Sequence, residues 1–210
     1  HGDSDVICDK HTMELMAESV AAILEAEKIE KCVIYGHSMG GYVALAFARL
    51  FPEKTIATGL LHSTIYADAA DKQHNRKREI EMIEAGKQKL VISGMMPRIV
   101  APQNVEKLQT ELQTIMEEAL KFSSEGIIAA LRGMMERPEH SIDKSKPFHL
   151  IGGRFDQFIP VEVYEKMATD NKTIEINFIK ETGHASFIEK PEETAAVMKK
   201  FLHSACDFFE

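Results

Sequence analysis

Gly36-His37-Ser38-Met39-Gly40-Gly41 is the segment of this 210-residue chain best equipped for chemistry. It follows an apolar run at residues 32–35 and opens an alanine-rich run that Pro52 ends. Gly-x-Ser-x-Gly between a strand and a helix puts a serine on a sharp turn with Oγ thrust outward. Such a turn leaves little room two positions away, which predicts tight packing at both Gly36 and Gly40. The helix starting just after the serine aims backbone N–H groups and a positive dipole end at the same point. An oxyanion would be stabilised there, with the Met39 N–H as first donor. The competing reading is a glycine-rich turn without chemistry.

A serine hydroxyl needs a base, and the base needs an orienting acid. Two loops in the last third of the chain supply them. Residues 147–153 read as a buried strand, and Asp156 lies just beyond it, where open α/β sheets build their sites. Residues 173–179 alternate as a second strand, followed by Gly183 and His184. Of the nine histidines, His11, His74, His140 and His203 stand in polar surroundings and read as surface residues. His149 falls inside a strand and reads as structural. His37 and His62 are candidates for substrate contact, although an ordinary strand-end role suits His62 better. Only His184 has both the chain order and the local setting of a base.

Taken together, Gly-His-Ser-Met-Gly-Gly, Gly-Gly-Arg-Phe-Asp and Gly-His-x-x-Phe-x-Glu-x-Pro resemble the α/β-hydrolase superfamily, in that family's order and over essentially the whole chain. The resemblance implies Ser38 as nucleophile, His184 as general base and then acid, and Asp156 as orienting carboxylate. It implies an α/β fold: a mostly parallel sheet, truncated at its N-terminal side, with a helical cap inserted between two core strands. The expected units are a core at 1–63, a cap at 64–146 and a returning core at 147–210.

The beginning departs from the family pattern. Family members carry two His-Gly stretches ahead of the nucleophile, and His1-Gly2, 37 positions before Ser38, suits the nearer one. The chain then lacks four early strands, a helix and the loop that gives a second oxyanion donor. Loss of one such donor costs about 10²–10³ in rate. The favoured explanation is a longer natural protein; a second chain or a silent remnant would also account for it. Residues 12–28 read as a helix capped by Thr12.

Between residues 61 and 147 the pattern is mainly helical, with helices expected at 68–83, 104–122 and 124–135 and breaks at Gly86, Gly94, Pro97, Pro102 and Pro138. Met82, Met95, Met96, Met116, Met134 and Met135 fall here. Methionines suit an adaptable apolar pocket, though packing of cap helices on one another explains each singly.

Composition narrows the classes. A net charge of −8 gives no footprint for nucleic acid. No apolar run approaches the roughly 20 residues needed to cross a bilayer. Cys8, Cys32 and Cys206 are odd in number and far apart, which argues against a disulfide framework and for a cytoplasmic setting, with Cys32 buried beneath the nucleophile. Neither metal-ligand spacing nor a dinucleotide loop occurs, so no metal and no organic cofactor are expected.

The resulting expectation is a serine hydrolase acting on a small carboxylic ester or related acyl compound, with no nucleic-acid or membrane partner and a homodimer as one option. Carbon–carbon bond hydrolases, acyltransferases and haloperoxidases of the same fold use the same residues, and a non-catalytic small-molecule binder is the rival of a different class.

Overall fold

The computed structural model describes residue 2 and residues 4–207; His1, read above as part of a family His-Gly stretch, lies outside the described residues. Helix α1 (Met13–Ala26) starts where expected, because the Thr12 hydroxyl accepts the Leu15 N–H at 3.1 Å. Its buried residues Met13, Ala17 and Ala21 recur every fourth position, so one face packs on helix α2 (Met39–Leu50) against Tyr42, Val43, Ala46 and Phe47.

Four strands, β1 (Cys32–His37), β2 (Thr55–Leu61), β3 (Phe148–Gly153) and β4 (Ile174–Ile179), form one parallel sheet in the order β1-β2-β3-β4. Side-chain alternation divides β2 between two layers. Leu60 faces Leu45 of α2 and Tyr164 and Met167 of helix α7 (Val161–Asp170). Ala57 and Leu61 face the other side, under Phe201, Val197 and Met198 of helix α9 (Pro191–Asp207). Strand β3 is buried throughout, as befits an inner strand of a parallel sheet covered on both faces. His149 is structural: it pairs through Nδ1 with the Tyr35 hydroxyl and through Nε2 with Asn177 Oδ1, tying β1, β3 and β4 together.

Helices α3 (Ala70–Glu84), α4 (Gln88–Met95), α5 (Gln109–Ala119) and α6 (Ser124–Glu136) lie between β2 and β3 in the chain. Helix α5 is shorter than its apolar spacing suggests. Pro102–Asn104 forms a 3₁₀ turn, and Val105 and Leu108 pack with Val100 against Ile188, so residues 105–108 stay in turns. Helix α4 escaped the sequence reading because eight residues between Gly86 and Pro97 carry too little periodicity. Met134 and Met135 pack against Ile80, Ile83 and Leu131 within the insertion.

Three expectations are corrected. His140 is buried, not a surface residue: its N–H donates to the Ile65 carbonyl at 2.9 Å where the chain returns to the core. His11 is half-buried, its N–H bonded to Ala129 O. Cys32 is only half-buried, at the start of β1.

Candidate active site

Ser38 leaves β1 at the level where His62 leaves β2, since His37 and Leu61 are in register. Both residues sit at positive φ, +50° and +49°. Non-glycine residues persist there only when their surroundings over-determine them. Here the Ser38 N–H donates to Leu61 O at 3.0 Å, the Ser63 hydroxyl donates to Ser38 O at 2.8 Å, and the His62 N–H donates to Ile151 O at 2.8 Å. A Cβ on Gly36 would lie 2.0 Å from Gly40 O, and one on Gly41 would lie 2.3 Å from Ser63 Oγ. At Gly40 it would meet no described atom within 4 Å. The close approaches therefore fall on Gly36 and Gly41, not on Gly36 and Gly40 as the motif spacing suggested.

The turn directs Ser38 Oγ to within 2.9 Å of His184 Nε2, and His184 Nδ1 lies 2.9 Å from Asp156 Oδ2. A carboxylate only accepts, so Nδ1 carries the proton and Nε2 is free to accept from the serine hydroxyl. Asp156 is fixed on both oxygens. Oδ1 accepts the N–H groups of Phe158 and Ile159 at 2.8 and 3.0 Å, and Oδ2 also accepts the Tyr164 hydroxyl at 2.6 Å. Burial would raise this carboxyl, but hydrogen bonding from His184 and Tyr164, together with the facing His62, outweighs it and holds the group well below the usual carboxylate range. It is therefore ionised across ordinary pH. Met39 opens α2, whose first N–H groups lack intrahelical partners.

The two other histidines named from the sequence flank His184. His62 is wholly buried and so cannot touch a substrate. Its Nε2 accepts the Ser186 N–H at 3.2 Å and lies 2.8 Å from the Ser186 hydroxyl, so Nδ1 carries the proton and faces Asp156 Oδ2. At 3.6 Å that contact is electrostatic and too long for a hydrogen bond. His37 donates through Nε2 to the carbonyl of His184 at 2.8 Å, which pins the base's backbone. Its ring also stands 4.9 Å from that of Phe187. Among the described residues, His62, Asp156 and His184 are the group whose ligand atoms lie close enough to hold a cation, within 4.8 Å. Asp156 Oδ2 already accepts from His184 and Tyr164.

Sequence reasoning gave no role to Glu189, although it stands in the quoted Phe-x-Glu-x-Pro stretch. The side chain is buried. One oxygen accepts the Gly183 N–H at 2.6 Å; the other accepts the Ala101 N–H and the Asn104 amide, both at 2.7 Å. A single carboxylate thus ties the loop carrying His184 to the insertion. Glu189→Ala leaves three donors without their acceptor, and a loss of about 2–4 kcal/mol is expected in urea unfolding.

Histidine burial also fixes a pH dependence. Desolvation first, and the neighbouring His184 next, push His37 down to about 4 from 6.5, and burial lowers His62, His140 and His149 as well. Between those values the unfolded chain binds more protons than the folded one, so stability falls on acidification from pH 6.5 toward 4. Each such histidine contributes up to about 1.4 kcal/mol per pH unit. Urea midpoints measured from pH 7.5 to 4.5 should decline steadily, and a flat profile would contradict neutral, buried imidazoles.

A protein-family model described as the alpha/beta hydrolase fold matches residues 1–71. A thermophilic esterase from Thermogutta terrifontis, solved with malate bound, superposes with a TM-score of 0.89 at 29 % identity, over 97 % of this chain and 76 % of that one. The chain has the α/β-hydrolase fold and is similar in sequence to members of that superfamily. Within it, the enol-lactonase of Burkholderia xenovorans LB400 shares the fold at TM-score 0.85 and 17 % identity, over 97 % of this chain and 77 % of the other. The dihydrolipoyllysine-residue acetyltransferase component of the acetoin cleaving system of Pseudomonas putida is 26 % identical over 96 % of this chain and 54 % of its own length. Bacillus subtilis hydrolase YugF, uncharacterized, is 26 % identical over 91 % of this chain and 72 % of its own. The chain thus spans about half the length of the first of these curated relatives. No helix among the described residues is long and apolar enough to cross a membrane.

Proposed function

We propose that this chain carries the catalytic residues of a serine hydrolase acting on carboxylic esters. The observation that supports this most directly is the unbroken path from Ser38 Oγ through both ring nitrogens of His184 to Asp156 Oδ2, 2.9 Å at each step. Ser38 attacks the ester carbonyl while His184 Nε2 takes its proton. Asp156 holds the imidazole in the required tautomer and stabilises the imidazolium that forms. The oxyanion is met by the Met39 N–H at the start of α2. The proton on His184 then passes to the departing alkoxide, leaving an acyl-serine. Water deprotonated by His184 attacks that acyl group and frees the acid, restoring Ser38. The helical insertion, docked on the histidine loop through Glu189, acts as the cap over the serine.

Intact-mass analysis after exposure to a fluorophosphonate tests the reading. A single adduct, lost in Ser38→Ala, is expected. No adduct on folded protein would turn the interpretation toward a small-molecule binder. Product analysis separates ester hydrolysis from acyl transfer and carbon–carbon cleavage, since only the first releases acid and alcohol in equal amounts.

A further inference from the structure

Outside the triad, a buried charge cluster joins the insertion to α2. The Asp68 side chain is fully buried. It meets Arg76 Nε at 2.6 Å through Oδ2 and Arg137 at 2.8 Å through Oδ1. Arg137 is itself buried; it donates to the carbonyls of Met134 and Tyr66 and lies 3.6 Å over the ring of Tyr42. Its hydrogen bonds are thus all internal to the protein.

Arg76 differs. Only 13 % of its side chain is exposed, yet its sole partner among the described residues is Asp68, met through Nε. The terminal nitrogens of its fork are left without one. Lys72, one turn earlier on α3, is half-buried and makes no hydrogen bond or ion pair among the described residues. Glu79, the next half-buried acid on α3, pairs with neither. Asp68 therefore faces three cations, with Glu79 acting on Arg76 from farther off, and Arg76 and Lys72 have donors to spare. Burying unmatched charge is costly unless an anion completes the set.

The cluster touches the helix that begins beside the serine. Tyr42, under Arg137, is one helical turn beyond Ser38 on α2. The Asp156 charge also acts on both Tyr42 and Lys72, opposing the burial that lowers the Lys72 ammonium.

We propose that Arg76 and Lys72 form an anion subsite beside Ser38 that receives a carboxylate carried by the substrate, so that the preferred ester is one bearing a free carboxylate, such as a half-ester of a dicarboxylic acid. A guanidinium fork matches the two oxygens of a carboxylate, and an ammonium one turn away adds a point charge. This assignment rests on the ester-hydrolase reading above.

The test compares kcat/KM for phenyl hydrogen succinate, which is anionic, with that for neutral phenyl butyrate of similar length. The native protein should favour the succinate. That ratio should fall about 10- to 100-fold in Arg76→Gln, chiefly through KM, as for a lost charge-assisted hydrogen bond. Lys72→Met, which leaves the Asp68 contacts intact, should lower it less, and it decides the matter if Arg76→Gln does not fold. A native preference for the neutral ester, or a ratio unmoved by Lys72→Met and by any folded Arg76→Gln, overturns the subsite. If neither ester is turned over, the hydrolase reading fails instead. Calorimetric titration with succinate then judges the subsite alone: binding weakened by the substitutions upholds it, and no binding overturns it.

Discussion

Replacing Ser38 with alanine lowers kcat on an activated ester such as p-nitrophenyl acetate by about 10⁶-fold, the scale of removing the nucleophile from a serine triad. The fold should survive. Alanine removes only Oγ and keeps the same Cβ, so the φ of +50° is no harder to hold than before, and the Ser38 N–H and C=O keep their bonds to Leu61 and Ser63. Ser38→Gly should be equally inactive but more stable than the alanine variant by about 1 kcal/mol, because glycine occupies this region without strain. Stopped assays and urea unfolding on the two variants together separate chemistry from conformation. Activity within tenfold of native in either variant would mean that the nucleophile is another group.

Asp156→Asn should lower kcat/KM by about 10⁴-fold while changing stability far less than Glu189→Ala. The carboxylate accepts from His184 Nδ1–H and from Tyr164 on one oxygen, and from two backbone N–H groups on the other. Asparagine can keep its carbonyl oxygen on the Phe158 and Ile159 amides. Its NH₂ then faces His184 and favours the tautomer protonated on Nε2, which cannot accept the serine proton. The negative charge that steadies an imidazolium is also gone. Steady-state kinetics from pH 6 to 9 provide the measurement, and a fall smaller than tenfold would remove Asp156 from the path.

Much of the architecture was legible because it rests on local chemistry. Thr12 marked the start of α1, Pro52 the end of α2, and the alternation of residues 173–179 the last strand, each by one-dimensional signals. Gly36 could be read as tightly packed because a turn between strand and helix crowds that position whatever the rest of the chain does. Gly40 could not be judged in this way: whether a neighbour crowds it depends on elements far away in sequence, and the crowding fell on Gly41 through Ser63. His62 and His140 show the same limit. Their neighbours in sequence are consistent with exposure, but Ser186 and Ile65, distant in the chain, enclose them. The pairing of Asp68 with Arg76 and Arg137 spans up to 69 positions and leaves no periodic trace. Glu189 stood within a recognised stretch, yet its two partners in residues 101–104 belong to the insertion, and no spacing rule links them.

That carboxylate has a consequence for motion. Its three bonds join Gly183, one residue before His184, to Ala101 and Asn104. Neither side can swing away from the other while these bonds hold, so the histidine loop and this part of the insertion open as one cooperative unit. In amide hydrogen exchange, Gly183 and Ala101 should then share a single opening free energy, below that of β3 at the centre of the sheet.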